Sequence, residues 1–195
     1  ENRILVSAAL DPVKVSIRLD VASAAVAAVL AVVSIFNRIE DAQVGLVVWG
    51  GFLVILGVAH TSVLIASGRP TGWWSWWVGH SLTAVLIGIF TLWFVPTGSV
   101  ALLTWSIVVW AVVASGASVV QGFRQQRAQA IRSDWITVGV GTLFFGLLVL
   151  IVPPEVYWLL GLAGVWAAML TVFVVIAALS ARPGANDQNR SGEDN

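Results

Sequence analysis

Residues 44–66 read VGLVVWGGFLVILGVAHTSVLIA, twenty-three consecutive residues with no acid, no lysine and no arginine. A helix of about 20 such residues spans the hydrocarbon of a bilayer, with its backbone hydrogen bonds closed internally. Working outward, five more apolar runs stand between charged or proline-bearing breaks. The six spans are expected at about 19–36, 44–66, 76–95, 99–120, 135–152 and 156–179. The expected fold class is therefore all-α: a polytopic membrane protein of six transmembrane helices arranged as three hairpins, within a domain of residues 19–180. A head (1–18) and a polar, disordered tail (181–195) flank it, and the first span, ending in Asn37-Arg38, does not read as a cleavable signal.

Composition agrees. The chain is 58% hydrophobic and 10% charged, with mean hydropathy +0.92, against roughly 25% charged residues in soluble domains. No internal connection is long enough for a soluble catalytic domain, so any chemistry is expected within the membrane or at its surface. Cysteine is absent, which removes disulfides, thiolate metal sites and a cysteine nucleophile.

Basic residues set the orientation. Arg3, Lys14, Arg18, Arg69, Arg124, Arg127, Arg132, Arg182 and Arg190 fall on one side of the six-span pattern and Arg38 alone on the other. Both termini are thus expected in the cytoplasm, the protein being multi-pass. These few basic residues are accounted for by topology, so nucleic acid is not an expected partner. Arg124, Arg127 and Arg132 also offer anionic lipid headgroups about 1 kcal/mol each.

The turns on the far side carry proline: Val95-Pro96-Thr97-Gly98 and Val152-Pro153-Pro154-Glu155. Proline ends a helix, so spans three and four, and five and six, read as tight hairpins. A slide of 58 residues sets Gly88 on Gly146 and Pro96 on Pro154, while Val47-Val48-Trp49 echoes Val108-Val109-Trp110. Three related two-helix units follow.

Segments such as Leu86-Ile87-Gly88-Ile89-Phe90 through Pro96, Ile107-Val108-Val109-Trp110, Gly122-Phe123-Arg124 and Phe144-Phe145-Gly146 through Pro154 resemble the repeated unit of HdeD-like acid-resistance membrane proteins. The resemblance covers about residues 45–182. It implies a six-span bacterial inner-membrane protein tied to acid or general stress, and it carries over no catalytic residue. The tryptophan content and the alanine-rich first span depart from the pattern.

Ionisable groups inside spans are the first functional suspects, because charge in hydrocarbon is costly. Asp20, His60 and His80 are the ones here, all expected in the cytoplasmic third with Thr61, Ser62, Ser81, Ser115, Ser118 and Thr137. An imidazole titrates near about pH 6.5 when unperturbed, so the cluster suits a pH sensor or proton relay. The competing reading is that these groups snorkel or bond to a neighbouring helix.

Trp73, Trp74, Trp76 and Trp77 at the mouth of the third span read as an interfacial anchor. Trp49, Trp105, Trp110 and Trp166 are expected deeper, packed between helices or against a lipid-soluble ligand. Small residues mark close helix contacts: Ser23, Ala27 and Ala31 in the first span, Ala111 and Ser115 in the fourth, Thr142 and Gly146 in the fifth, Gly164 and Ala168 in the sixth. The long alanine face of the first span is the expected interface to another protein.

Other chemistries lack their residues. The one lysine, Lys14, precedes the first span, so no Schiff-base pigment site fits. No phosphate loop, haem-binding histidine pair or acidic metal cluster is present, and neither cofactor nor metal is expected. The functional expectation is a non-enzymatic membrane protein acting through lipids, a homo-oligomer or a hetero-complex. The alternative is a small-solute or proton-linked transporter, or a pH sensor.

Overall fold

The computed structural model describes residues 12–66, 74–124 and 129–180. Six helices account for most of them: α1 (Pro12–Phe36), α2 (Ala42–Ala66), α3 (Trp74–Trp93), α4 (Val100–Arg124), α5 (Gln129–Ile151) and α6 (Val156–Ser180). The expected head and tail lie largely or wholly outside the described residues.

Local chemistry sets the helix ends. Asp41 Oδ1 accepts from Gln43 N at 2.7 Å and Val44 N at 3.2 Å, an N-cap for α2. Ser99 Oγ accepts from Leu102 N at 3.2 Å and caps α4 in the same way. Between α3 and α4, Val95–Thr97 form a 3-10 turn closed by Gly98, whose φ of 56° is where a side chain would be strained. Pro153 and Pro154 follow the end of α5.

Apolar side chains cover the outward faces as well as the interior. Val29, Ile55, Leu86, Phe90, Val112, Phe144, Met169 and Ile176 are all at least half exposed. In water such a surface would be an aggregation hazard, whereas lipid is as apolar as the side chains themselves. Four stretches are long and apolar enough to cross a membrane: Arg18–Phe36, Ala42–Ala66, Val100–Phe123 and Val156–Ile176. The apolar parts of α3 and α5, Val78–Trp93 and Trp135–Ile151, are shorter. The fold is that of a helical membrane protein.

The helix pairing departs from the expected hairpins. The extensive contacts are α2 with α3, α4 with α5, and α1 with α6; the chain neighbours α3–α4 and α5–α6 touch much less. Small residues decide this, because lipid offers no hydrophobic drive and backbones gain by close approach. A Cβ on Gly50 would lie 3.0 Å from the Gly88 carbonyl oxygen, and one on Gly57 2.6 Å from that of Ser81. A Cβ on Gly139 would meet the Ser115 oxygen at 3.1 Å, and one on Gly146 the Ala111 Cβ at 2.9 Å. Gly164 faces Ser34 and Ala31, and Thr171 Oγ1 reaches Ala24 O at 3.2 Å.

The first span's alanine face is therefore turned inward. Ala24, Ala27 and Ala31 are buried within the chain, α1 lying along α6; they are not an exposed interface.

The three pairs surround a shared centre where α2, α4 and α6 also touch one another. Trp49 and Trp110 sit with ring centroids 5.5 Å apart at 83°, and Trp110 and Trp166 5.1 Å apart at 82°. Phe52 lies 5.3 Å from Trp49, and Phe145 stacks on Trp166 at 5.2 Å. The two tryptophan pairs are edge-to-face, with the positive edge of one ring against the negative face of the next. Each of the three helices places a small residue directly after its tryptophan: Gly50, Ala111 and Ala167, all buried. The closely packed pairs are thus α2 with α3, α4 with α5 and α1 with α6.

Candidate functional site at the histidine end of the bundle

Hydroxyls in an apolar bundle need acceptors, and the nearest is usually the carbonyl four residues back on the same helix. Thr61, Ser62, Thr83, Thr91, Thr104, Ser118 and Thr142 all use it, at 2.8 to 3.0 Å. Most polar residues of the spans are thereby satisfied without reference to another helix. Ser23 differs: its Oγ bonds Leu19 O at 2.9 Å and also meets His60 Nε2, on another helix, at 2.6 Å.

His60 lies six residues before the end of α2, and His80 six residues after the start of α3. At 1.5 Å per residue both are about 9 Å from the same end of the bundle. Their rings face one another at 5.9 Å between centroids, tilted by 39°. His60 is 4% exposed, and the Nδ1 atom of His80 is buried with no hydrogen-bond partner among the described residues. Gly57, one turn before His60, permits this approach, since any side chain there would strike Ser81 and Val85 of α3. Ser81 itself is fully buried.

Towards the near end of the bundle the pair is covered by a small apolar cluster. Leu19 and Leu64 are buried, with Val63, Val78 and Trp135 packed against them. Asp20 follows Leu19 and is half-buried, one helical turn before Ser23 on the same face of α1. Three helices thus converge on one polar point in an apolar bundle, α1 with a hydroxyl, α2 and α3 with an imidazole each.

The expected meeting of His60 and His80 is present. Ser23 belongs with them, although the sequence places it in a stripe of small packing residues. The available signal was depth: five residues into the first span, its hydroxyl stands at the level of His60. Ser115 is buried on α4, and Thr137 is exposed on α5. Trp73 and Arg127 lie outside the described residues; Trp74, Trp76 and Trp77 are in the first turn of α3, Arg124 ends α4, and Arg132 is in the first turn of α5.

Of the deeper tryptophans, Trp49, Trp110 and Trp166 form the aromatic centre, whereas Trp105 is 58% exposed on the lipid-facing side of α4. Ala27, Ala31, Gly146 and Gly164 serve packing. At the opposite end Arg38 pairs with Glu40 at 2.7 Å and lies 5.6 Å from the Tyr157 ring, while Gln43 reaches Pro96 O at 3.5 Å. These exposed contacts tie the turns together and contribute little energy.

No family model matches the chain, and searches of curated proteins and of solved structures give no significant match.

Proposed function

We propose that the protein is a six-span, non-enzymatic component of the bacterial cytoplasmic membrane, with both termini in the cytoplasm, acting in acid or general stress through lipids and partner proteins. The length of α3, 20 residues, and of α5, 23 residues, supports two further spans, since 20 helical residues extend about 30 Å. The side-to-side asymmetry of the basic residues supports the orientation. The likeness of the glycine and proline motifs to HdeD-like proteins supports the stress role. Self-association or a hetero-complex supplies its mode of action, as an oligomer or an accessory subunit.

One observation favours a more specific reading of this role, proton sensing at the cytoplasmic end. His60 and His80 face each other at 5.9 Å inside an apolar bundle, with Ser23 bonded to one ring. A change of proton count there alters both the charge and the hydrogen bonding at the junction of α1, α2 and α3. The same pair would serve a proton-linked transporter, yet the described helices carry no acid, base or histidine between this site and the far-side turns.

The test is the His60→Ala, His80→Ala double variant, assayed for acid survival and for a pH-dependent conformational signal from purified protein in bilayers. The sensing reading expects both responses to be lost while helix content is retained. Unchanged survival together with an unchanged signal would overturn it.

A further inference from the structure

Ser23 contacts two groups with one hydroxyl proton. Leu19 O, at 2.9 Å, is a backbone carbonyl and can only accept. His60 Nε2, at 2.6 Å, either donates or accepts according to tautomer. Both contacts are hydrogen bonds only when the hydroxyl proton points to Leu19 O and Nε2 carries a hydrogen that it donates to Oγ.

From this geometry we infer that Ser23 is a positioning residue, which fixes neutral His60 as the Nε2–H tautomer and makes the site a terminal proton acceptor rather than a link in a path across the bundle. The inference rests on the proton-sensing reading and specifies how that site works. With Nε2 committed to α1, the ring's lone pair is on Nδ1, at the edge directed away from α1. The next proton adds there. α2 packs against both α1 and α3, and the His80 ring stands 5.9 Å away on α3.

Among the described residues Ser23 Oγ meets the Leu19 carbonyl and His60 Nε2, and a backbone carbonyl accepts hydrogen bonds but does not take up protons in the physiological range. The charged and titratable groups around the site are few among the described residues. Lys14, the exposed Arg18 and Asp20 lie on α1, His80 on α3, and Arg132 and Asp134 on α5 just before Trp135; α2 offers no ionisable group besides His60. All of them are at the same end of the bundle.

The chain contains two histidines, so 15N-histidine labelling of the full-length protein in lipid nanodiscs gives two ring systems, assigned with His80→Gln. At neutral pH the His60 spectrum is expected to show protonated Nε2 and bare Nδ1, favoured by roughly threefold to tenfold, the ratio one buried hydrogen bond sets. Ser23→Ala is expected to lower that ratio towards the intrinsic preference of a free imidazole, and Ser23→Thr to restore it, with helix content unchanged by circular dichroism. A wild-type His60 protonated on Nδ1, or a ratio unchanged in Ser23→Ala, would overturn the assignment. So would a proton flux through proteoliposomes that His60→Ala abolishes. Failure of the sensing reading shows separately, as an acid response indifferent to both histidines, and leaves the tautomer result standing.

Discussion

Eleven tryptophans look alike in the sequence, and the bundle uses them in opposite ways. Trp49 is fully buried among Phe52 and Trp110, whereas Trp105, five residues before Trp110 on the same helix, is 58% exposed. Removing a buried aromatic leaves a cavity that helices already in contact cannot close, at about 3–5 kcal/mol. Trp49→Ala is therefore expected to lower stability by that order in a denaturant unfolding series, and Trp105→Ala by much less. Equal losses would mean that the aromatic centre is not the core of the fold. Hydrophobicity alone does not separate the two residues. In a helix apolar on every face, no periodicity says which side meets protein.

That uniformity also explains which element-level features were legible. The far-side turns were, because Pro96, Pro153 and Pro154 cannot continue a helix; the other ends were not, α1 and α5 beginning several residues before the expected spans. The meeting of the histidines was, because depth follows from counting residues at a fixed rise. Helix partners were not: a short turn fixes only where two helices start, and close packing over their length is decided by glycine and alanine surfaces on helices distant in the chain. The pairing of α1 with α6 is the clearest case. A Cβ on Gly164 would come within 2.9 Å of Ser34 Cβ, so the helices need part by only about 0.6 Å to reach the ~3.5 Å lower end of the Cβ separation in disulfides. In this cysteine-free chain, Ser34→Cys with Gly164→Cys is expected to form an intramolecular disulfide on mild oxidation, seen as a mobility shift of the monomer. Dimers without an intramolecular product would indicate that the face of α1 serves another molecule.

At the scale of the whole molecule, polarity is unevenly distributed along the bundle. Aromatic packing fills the centre, the far-side turns are closed by prolines and caps, and the ionisable groups within the helices gather at the other end. A site of this kind responds to one compartment only if the bundle crosses the membrane six times, so that α1, α2 and α3 bring their polar residues to a single side. The most direct measurement is single-cysteine accessibility in intact cells, with Glu40→Cys, Thr97→Cys and Glu155→Cys for the three turns and Ser7→Cys and Asn189→Cys for the two ends. A membrane-impermeant maleimide added outside is expected to label all three turns and neither terminus, the termini reacting only after permeabilisation. A turn that stays unlabelled until permeabilisation, or a terminus labelled from outside, would contradict the six-span arrangement on which the proposed function depends.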